Sequence, residues 1–432
     1  MERSMLRSRK IGRRDGAAAL IDVGTSKVST LIVELDRHGG EGASAPFRFP
    51  GRVLGFGYQR SRGVKAGLVV DLEEAEQAIR ASVAQAERMA GINVKDVVVS
   101  VTCGRLKSRT FKAKVALDGR AASQDDIARI LSSGRRHAER DGRAIVHLNR
   151  IGWRIDGAGG FEHVAGIKGD VLEADLHAVT ADEPPLRNLL HAIERAFLDV
   201  SGMVAGPFAS AIAATSPEER RLGVTVVDIG GGTTTIAMFV DGHFIHTDAL
   251  AIGGGHITYD IARALGTPVT EAERIKTLYG GVFAAASDEH EAISYPIAGE
   301  DELSGSVSKA EIRRLVRSRA EHQVALLRDR LAAGPLAKLA EARVVLTGGA
   351  CQLSGLCDLV ANTLGRPVRI GRPYPLPGLP ATVSNPAFST VVGLAYSLLE
   401  PDAGVRSFEE RDVLTGTGSY LERVGQWVRQ SF

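Results

Sequence analysis

The sequence is poor in cysteine, in aromatic residues and in net charge, and each shortage excludes a class of protein. Cys103, Cys351 and Cys357 are an odd number without a C-x-x-C pair, so neither a disulfide framework nor a zinc site is expected. Aromatic residues make up 5% of the chain, which leaves few rings for stacking on bases. With 53 Lys and Arg against 51 Asp and Glu, the basic excess of a nucleic-acid binder is missing. The cysteine pattern fits a reducing cytosol best.

Long apolar runs are missing as well. No stretch approaches the ~20 apolar residues that span a bilayer, and no apolar segment of signal-peptide length follows the basic N-terminus. Residues 1–16 are expected to form a disordered basic tail, either solvated or touching acidic lipid. Because 44% of the 432 residues are apolar, the chain can fill the cores of about two to four domains.

Strand and helix patterns are mixed along the whole chain, which predicts an α/β fold. Leu72–Ala90 has helical apolar spacing and is stopped by Gly91, and Ser123 with Asp126 marks the start of another helix. Residues 288–306 are predicted as loop and 373–380 as a proline-rich connector. The other predicted strands are 18–23, 28–35, 53–56, 97–101, 223–229, 235–240 and 344–346, and the other predicted helices are 184–200, 271–279, 309–331 and 389–399.

A short internal repeat carries the chemistry. In Asp22-Val-Gly-Thr-Ser-Lys27 and again in Asp228-Ile-Gly-Gly-Gly-Thr-Thr234, an apolar strand ends in Asp and runs into a turn of glycines and hydroxyl residues. The glycines let backbone N–H groups approach phosphate oxygens. One such turn alone is typical of an ordinary hairpin, but two copies predict two lobes that hold one nucleotide, most simply ATP with Mg²⁺. The phosphate candidates are Gly24, Thr25, Ser26, Lys27, Gly230, Gly231, Gly232, Thr233 and Thr234, and the Mg²⁺ candidates, acting through water, are Asp22 and Asp228.

Other nucleotide motifs are absent, and a third segment completes the candidate site. Neither a G-x-x-x-x-G-K-[ST] phosphate loop nor a G-x-G-x-x-G after a strand occurs. The strand at 344–346 delivers Gly348, Gly349 and Ala350 to a turn that suits close approach of a base or ribose, with a plain strand-to-helix turn as the alternative.

With these motifs the chain resembles the FtsA family of actin-like bacterial cell-division proteins, from about residue 17 to 432. Residues 207–215 and 385–395 resemble the two helices that connect the lobes in that family. The resemblance implies an actin-like, two-lobed ATPase fold that binds ATP and Mg²⁺. It also places Gly253, Gly254, Glu273 and Lys276 at the nucleotide, with the last two near the ribose, although an ordinary surface pair one helical turn apart is the alternative.

The resemblance divides the chain into parts. An inserted subdomain is expected to serve self-association and contact with later division proteins, and the final helix of the second lobe is expected to return to the first. The expected parts are the first lobe at 17–84 and 179–217, the insertion at 85–178, the second lobe at 218–400 with an outer subdomain at about 262–335, a flexible linker at 401–418 and a membrane-targeting helix at 419–432.

The last stretch has the pattern of an amphipathic helix. Its apolar side chains fall within about 140° of helical arc, and two arginines flank that face. This pattern suits an anionic membrane surface, while docking on the chain's own domain is the alternative. The membrane candidates are Tyr420, Leu421, Arg423, Val424, Trp427, Val428, Arg429 and Phe432.

The leading hypothesis is therefore a peripheral protein on the cytoplasmic face of the membrane, at the division septum. By resemblance it polymerises in a nucleotide-dependent way, recruits later division proteins and tethers FtsZ filaments, whose C-terminal tail docks near Arg319. The alternative is that the charged helix predicted at 309–331, which carries Arg319, only presents a solvated face. At most weak ATPase activity is expected, and no catalytic residue stands out. A small-molecule kinase of the same superfamily and a pilus-assembly actin-like adaptor are the rival hypotheses.

Overall fold

The computed structural model describes residues 16–35, 49–139, 142–333, 343–399 and 406–407. The strands in these ranges are β1 (Ala17–Val23), β2 (Lys27–Leu35), β3 (Gly51–Arg60), β4 (Val64–Lys65), β5 (Leu68–Val69), β6 (Asp96–Val101), β7 (Lys107–Ala116), β8 (Arg143–Ile155), β9 (Ala158–Phe161), β10 (Val171–Asp182), β11 (Asp199–Ala205), β12 (Val224–Ile229), β13 (Thr234–Val240), β14 (His243–Leu250), β15 (Ala292–Ile297), β16 (Glu300–Ser308), β17 (Arg343–Thr347), β18 (Val368–Ile370) and β19 (Arg406–Ser407). The helices are α1 (Leu72–Ala90), α2 (Gln124–Ala138), α3 (Glu183–Arg195), α4 (Gly206–Ala214), α5 (Pro217–Leu222), α6 (Gly254–Leu265), α7 (Val269–Tyr279), α8 (Lys309–Ala332), α9 (Leu356–Leu364) and α10 (Ser389–Ser397).

Two mixed sheets repeat one arrangement. In the first, ordered β19-β11-β6-β1-β2-β3, strand β1 pairs antiparallel with β2 and parallel with β6. In the second, ordered β14-β13-β12-β17-β18, strand β12 pairs antiparallel with β13 and parallel with β17. Each sheet therefore has a central hairpin whose turn lies beside the carboxyl end of a parallel neighbour, the edge of an α/β sheet where ligands bind.

The local signals at the first two helices are confirmed. The Asp71 side chain accepts hydrogen bonds from the backbone N–H groups of Glu73 and Glu74, both at 3.0 Å, and Gly91 ends α1 in the left-handed conformation. Ser123 and Asp126 exchange the hydrogen bonds of a capping box at the start of α2. Both helices begin where a side chain satisfies the first free N–H groups.

The two lobes meet at a pair of crossed helices. Helix α4 is buried at every position and packs on β12, while α10 packs on α4 and on β1. The two helices approach closely at Gly393 of α10, where an added β-carbon would lie 1.8 Å from the Ala209 carbonyl oxygen. Since α4 follows directly from β11 of the first sheet, the helix pair connects the two sheets behind the central strands.

An inserted sheet, ordered β7-β10-β8-β9, lies with α2 between the first-lobe elements β6 and α3. Its own core contains Ile130, Trp153 and Leu176. This sheet begins at Lys107. Residues 85–102, assigned to the insertion by the sequence analysis, lie largely in α1 and β6, and β6 pairs with the first sheet.

Three expectations differ from the structure. The helix predicted at 184–200 ends at Arg195, because Asp199 begins the buried strand β11. The loop predicted at 288–306 contains the hairpin β15–β16, whose inward-facing Ile293 and Val307 join a core with α6, α7 and α8. Within the linker predicted at 401–418, Arg406–Ser407 pair with β11. The basic tail predicted at 1–16, apart from Gly16, and the whole helix predicted at 419–432 lie outside the described residues.

Candidate functional site

Both predicted phosphate loops have the same backbone turn. In the first, the Gly24 N–H donates to the Lys27 carbonyl at 3.0 Å, between β1 and β2. In the second, the Gly230 N–H donates to the Thr233 carbonyl at 2.9 Å, between β12 and β13. The repeat read from the sequence is thus a repeat of structure.

The two loops face each other across the gap between the lobes. A β-carbon added at Gly231 would lie 1.9 Å from Ser26 Oγ, and one added at Gly232 would lie 2.7 Å from Thr25 Oγ1. The glycines of the second loop therefore make room for the hydroxyl residues of the first. Residues 205 and 207 positions apart in the chain therefore come together at one place.

The predicted third segment joins them. Strand β17 lies beside β12, and the chain then turns at Gly348, whose φ is +86°. A β-carbon there would lie 2.2 Å from Asp228 Oδ1, so only glycine fits without displacing that carboxylate. The segment therefore packs directly against the second loop.

These three segments enclose a cleft with a cavity volume of about 310 Å³, within the range of small-molecule sites. The sequence-predicted residues that line it are Asp22, Gly24, Thr25, Ser26, Lys27, Asp228, Gly230, Gly231, Thr233, Glu273, Gly348, Gly349 and Ala350.

Five predicted residues do not line this cleft. Thr234 is buried in β13, where its hydroxyl donates to the Ile252 carbonyl at 2.7 Å. Gly232 packs against Thr25 of the first loop and does not line the cleft. Gly253 precedes Gly254, whose N–H donates to the Gly230 carbonyl at 2.9 Å and so supports the loop from behind. Gly254 itself and Lys276 also do not line the cleft.

Glu273 and Lys276 form a fixed pair rather than a free surface pair. Lys276 Nζ lies 2.6 Å from Glu273 Oε2 and also donates to Thr258 Oγ1 at 2.9 Å. The Lys276 side chain is 15% exposed, against 52% for Glu273. Gly254 and Lys276 line a second cavity that opens beside the cleft and shares Glu273 with it.

Buried charge dominates the floor of the cleft. Burial and, to a smaller extent, the charge of Asp22 raise the pKa of Asp228 to about 6, against hydrogen bonds from Ser210 and Thr390 and the charge of Lys27. Burial likewise raises the pKa of Asp22, against the Ser100 hydrogen bond and the Lys27 charge. The pKa of Lys27 is lowered, first by burial, although both aspartates oppose this.

This donor set fits Mg²⁺ together with phosphates. The charge of a single ammonium group, Lys27, acts on two carboxylates, so the ionised floor is one positive charge short. Mg²⁺ takes oxygen ligands, keeps much of its water, and is typically held by one or two carboxylates with substrate phosphates. Asp22 and Asp228 would hold the cation and Lys27 the phosphates. Within the described ranges, no group of three or more His, Cys, Asp or Glu side chains forms a metal cluster.

Several residues of the site could not be predicted from the sequence motifs. Ser100 Oγ donates to Asp22 Oδ1 at 2.5 Å, and Thr390 Oγ1 donates to Asp228 Oδ2 at 3.3 Å. Thr102 and Gly206 also line the cleft. A usable signal existed for Thr102, since it follows a buried strand and the carboxyl ends of parallel strands meet at one edge. The lone hydroxyls of Ser100 and Thr390 carry no such signal.

The predicted partner residue lies away from the cleft. Arg319 on α8 makes two hydrogen bonds to the carboxylate of Asp260 on α6, at 2.5 and 3.0 Å. The Arg319 side chain is 30% exposed, so it remains reachable from solvent. The helix is therefore pinned to α6 at this point rather than fully solvated.

Two family models match the chain. Residues 225–393 match the model described as Cell division protein FtsA, and residues 103–180 match the SHS2 domain inserted in FTSA. The Cell division protein FtsA of Rhizobium meliloti (strain 1021) is 39% identical over 424 residues, which cover 97% of this chain and 96% of that protein. The Cell division protein FtsA of Escherichia coli (strain K12) is 28% identical over 419 residues, with 95% and 97% covered.

Solved structures match the fold. A chain of the PilM-PilN type IV pilus biogenesis complex has a TM-score of 0.61 at 16% identity, with 89% of this chain and 99% of that chain covered. MreB5 of Spiroplasma citri bound to ADP has a TM-score of 0.50 at 13% identity, with 88% and 96% covered. At these identities the likeness concerns the fold alone. It confirms the expected actin-like fold, and the match at 103–180 confirms that a subdomain is inserted. The full-length relatives decide the family: the chain belongs to the FtsA family of cell division proteins.

Proposed function

We propose that this cell-division protein binds ATP with Mg²⁺ in the cleft and, in that state, assembles into filaments on the cytoplasmic membrane at the septum. There it tethers FtsZ filaments and recruits later division proteins. The observation that carries the proposal is the pair of facing loops, with Asp22 and Asp228 at their bases and with Lys27, whose pKa responds to the charge of both aspartates, in the first loop.

The buried charges support a nucleotide over an uncharged ligand. Bringing two carboxylates and one ammonium out of water is costly, as the raised aspartate pKa values indicate. A bound cation with its phosphates supplies the missing partners. The cation would shield the phosphate charges, while the loop N–H groups and hydroxyls orient the phosphates and fix the distance between the lobes. Nucleotide occupancy is thus proposed to set lobe closure, with hydrolysis weak or incidental.

Membrane attachment is assigned to the helix predicted at 419–432. Its apolar side chains could contribute roughly 6–12 kcal/mol gross on partial burial, while ordering fourteen residues costs on the order of 1 kcal/mol each. One tail is therefore a marginal anchor, whereas many tails on a filament bind strongly by avidity. Since Arg406–Ser407 pair with the first sheet, the part of the predicted linker that follows this pairing is 408–418, and a flexible chain of that length would reach about 18 Å.

Partner contacts are assigned to two other surfaces. We propose that the FtsZ C-terminal tail docks beside Arg319, where a guanidinium held by Asp260 keeps part of its surface exposed. The inserted subdomain is proposed to contact a neighbouring copy and later division proteins.

The test is flotation of the chain and FtsZ with vesicles that contain anionic lipid. With ATP and Mg²⁺, we expect FtsZ filaments to float with the vesicles, and less so with ADP. Trp427→Glu should abolish flotation because it places a charge on the apolar face. Gln426→Glu is the matched control, since it adds the same side chain on the polar face. Equal flotation of the Trp427→Glu variant would contradict the anchor.

The rival functions are tested beside it. ATP-dependent phosphorylation of a small metabolite would support a kinase. FtsZ that stays unbound while vesicles float with the chain would favour an adaptor for another assembly, such as a pilus. The likeness to a PilM-PilN chain concerns the fold and does not favour that function.

A further inference from the structure

The second cavity, beside the cleft and lined by Gly254 and Lys276, indicates in which orientation a nucleotide would bind. It has a volume of about 530 Å³ and includes Ile257 and Leu353, a partly apolar lining that suits a base and ribose. Gly67, Thr102 and Gly206, all on the first-lobe side, line the cleft but not this cavity. A triphosphate that starts in the second cavity and enters the cleft therefore extends towards the side on which these three residues lie. The residues shared by both cavities are Glu273, Gly349, Ala350 and Gln352.

Thr102 offers its hydroxyl at this end of the cleft. A β-carbon added at Gly206 would lie 2.3 Å from Thr102 Oγ1, so the glycine at the start of α4 leaves space for that hydroxyl. Of the neighbouring hydroxyls, Ser100 already donates its proton to Asp22, and Thr25 Oγ1 accepts from the Gly67 N–H at 3.0 Å. In the part of the chain that the structure describes, no hydrogen bond to another protein group engages the Thr102 hydroxyl.

The chain enters the inserted subdomain directly after Thr102, through a stem that is fixed on both sides. The Gly104 carbonyl accepts from the Asp182 N–H at 2.7 Å, which ties the first residues of the insertion to its last. Arg105 Nε pairs with Asp182 Oδ2 at 3.1 Å. Gly104 and Arg105 both have positive φ, +76° and +45°. The backbone bond to Asp182 and these positive φ values restrict the conformations that the turn after Thr102 can adopt.

We propose that the Thr102 hydroxyl binds the terminal phosphate of ATP and that the stem at 103–106 couples this contact to the conformation of the inserted subdomain. The inference rests on the nucleotide binding proposed above. The Thr102 hydroxyl donates a hydrogen bond to the terminal phosphate of ATP, and ADP leaves the hydroxyl without that partner. The inserted subdomain therefore has a different position or mobility with ATP than with ADP, and its contacts with other proteins depend on which nucleotide is bound.

The experiment titrates ATP and ADP, each with Mg²⁺, into the full chain and two variants. Thr102→Val keeps the shape and removes the hydroxyl, while Thr102→Ser keeps the hydroxyl. For the valine variant we expect ATP affinity to fall about 10- to 100-fold, the value of one hydrogen bond to a charged group, with ADP affinity within about threefold. The serine variant should match the unchanged chain for both nucleotides.

Hydrogen exchange of the unchanged chain gives a second measurement that needs no variant. Amides at 103–106 and 181–182 should exchange more slowly with ATP than with ADP. In the valine variant this difference should vanish, while thermal unfolding without nucleotide should stay the same.

The outcomes separate the inference from the function it rests on. If the unchanged chain binds neither nucleotide, the proposed function fails. If it binds both, and Thr102→Val weakens neither or weakens both equally, the role of Thr102 is overturned. Identical exchange of the stem with ATP and ADP would overturn the coupling to the inserted subdomain.

Discussion

Replacing Asp228 by Asn should stabilise the nucleotide-free protein while it destroys the site. Burial raises the pKa of Asp228 from 3.8 to about 6, and one pKa unit corresponds to about 1.4 kcal/mol. The ionised carboxylate therefore costs folding up to about 3 kcal/mol at pH above 7. Asn keeps the shape and can accept the Thr390 hydrogen bond, but it carries no charge.

The sign of the pH dependence is fixed by the direction of the shift. Between pH 4 and 6 the folded state retains a proton that the unfolded state has lost, so the unchanged chain loses stability as pH rises through this range. The Asp228→Asn variant should not lose stability for this reason, because Asn does not titrate. The difference in unfolding free energy should grow from near zero at pH 4 to as much as about 3 kcal/mol at pH 7.5, and stay level above it.

Denaturant unfolding at several pH values measures this difference, with nucleotide titration on the same samples. Asp241→Asn is the matched control, because Asp241 lies exposed in the β13–β14 turn and Asn tolerates its positive φ of +52°. It should change stability by less than about 0.5 kcal/mol. An Asp228→Asn variant that is less stable than the unchanged chain at pH 7.5, or that still binds ATP normally, would refute the reasoning.

Three further changes test other parts of the structure. Gly231→Ala places a methyl group 1.9 Å from Ser26 Oγ, so it should cost about 1–3 kcal/mol in denaturant unfolding and weaken nucleotide binding at least tenfold. In a double-mutant cycle, Arg319→Ala and Asp260→Ala should couple by about 1 kcal/mol, since the pair is bidentate and partly buried. Burial lowers the pKa of His147 to about 3, so protonation of the unfolded state should remove about 2 kcal/mol of stability between pH 7.5 and 5, a loss that His147→Phe should not show.

Each of these has a matched control or a contrary result. Gly152→Ala adds the same methyl group where no atom lies within 4 Å, so nucleotide binding should not change. Coupling near zero in the arginine–aspartate cycle would mean that α8 is not pinned to α6 there. His163→Phe, at an exposed position, should leave the acid-induced loss in place. If His147→Phe also leaves it in place, the loss arises from other groups.

The two phosphate loops could be predicted because their signal is local. After an apolar strand, an aspartate, glycines and hydroxyls follow one another within seven residues, and the structure shows the expected turn in both copies. That the two loops lie close together in the fold could be inferred only because the pattern occurs twice. The hydroxyl partners of the two aspartates, Ser100 and Thr390, come from distant segments, and common residues without a pattern give no such signal.

The misassigned elements have physical reasons too. The residues after Arg195 are apolar enough to extend a helical pattern, but Phe197 adopts a positive φ and the chain turns into β11. The hairpin β15–β16 buries Ile293 and Val307, while its many small and polar residues resemble a loop. The start of the insertion could not be placed from sequence, because β6 pairs with β1 and that pairing is a long-range contact.

The most direct test of the account is calorimetric titration of ATP into the full chain, first with Mg²⁺ and then with excess EDTA. The account predicts one saturable site per chain that weakens at least tenfold without the cation, because Asp22 and Asp228 then face the phosphates without a shield. Gly231→Ala should lose the site in both conditions. No saturable binding, or binding of equal strength without Mg²⁺, would contradict the central claim that the facing loops and their aspartates form a site for a metal-bound nucleotide.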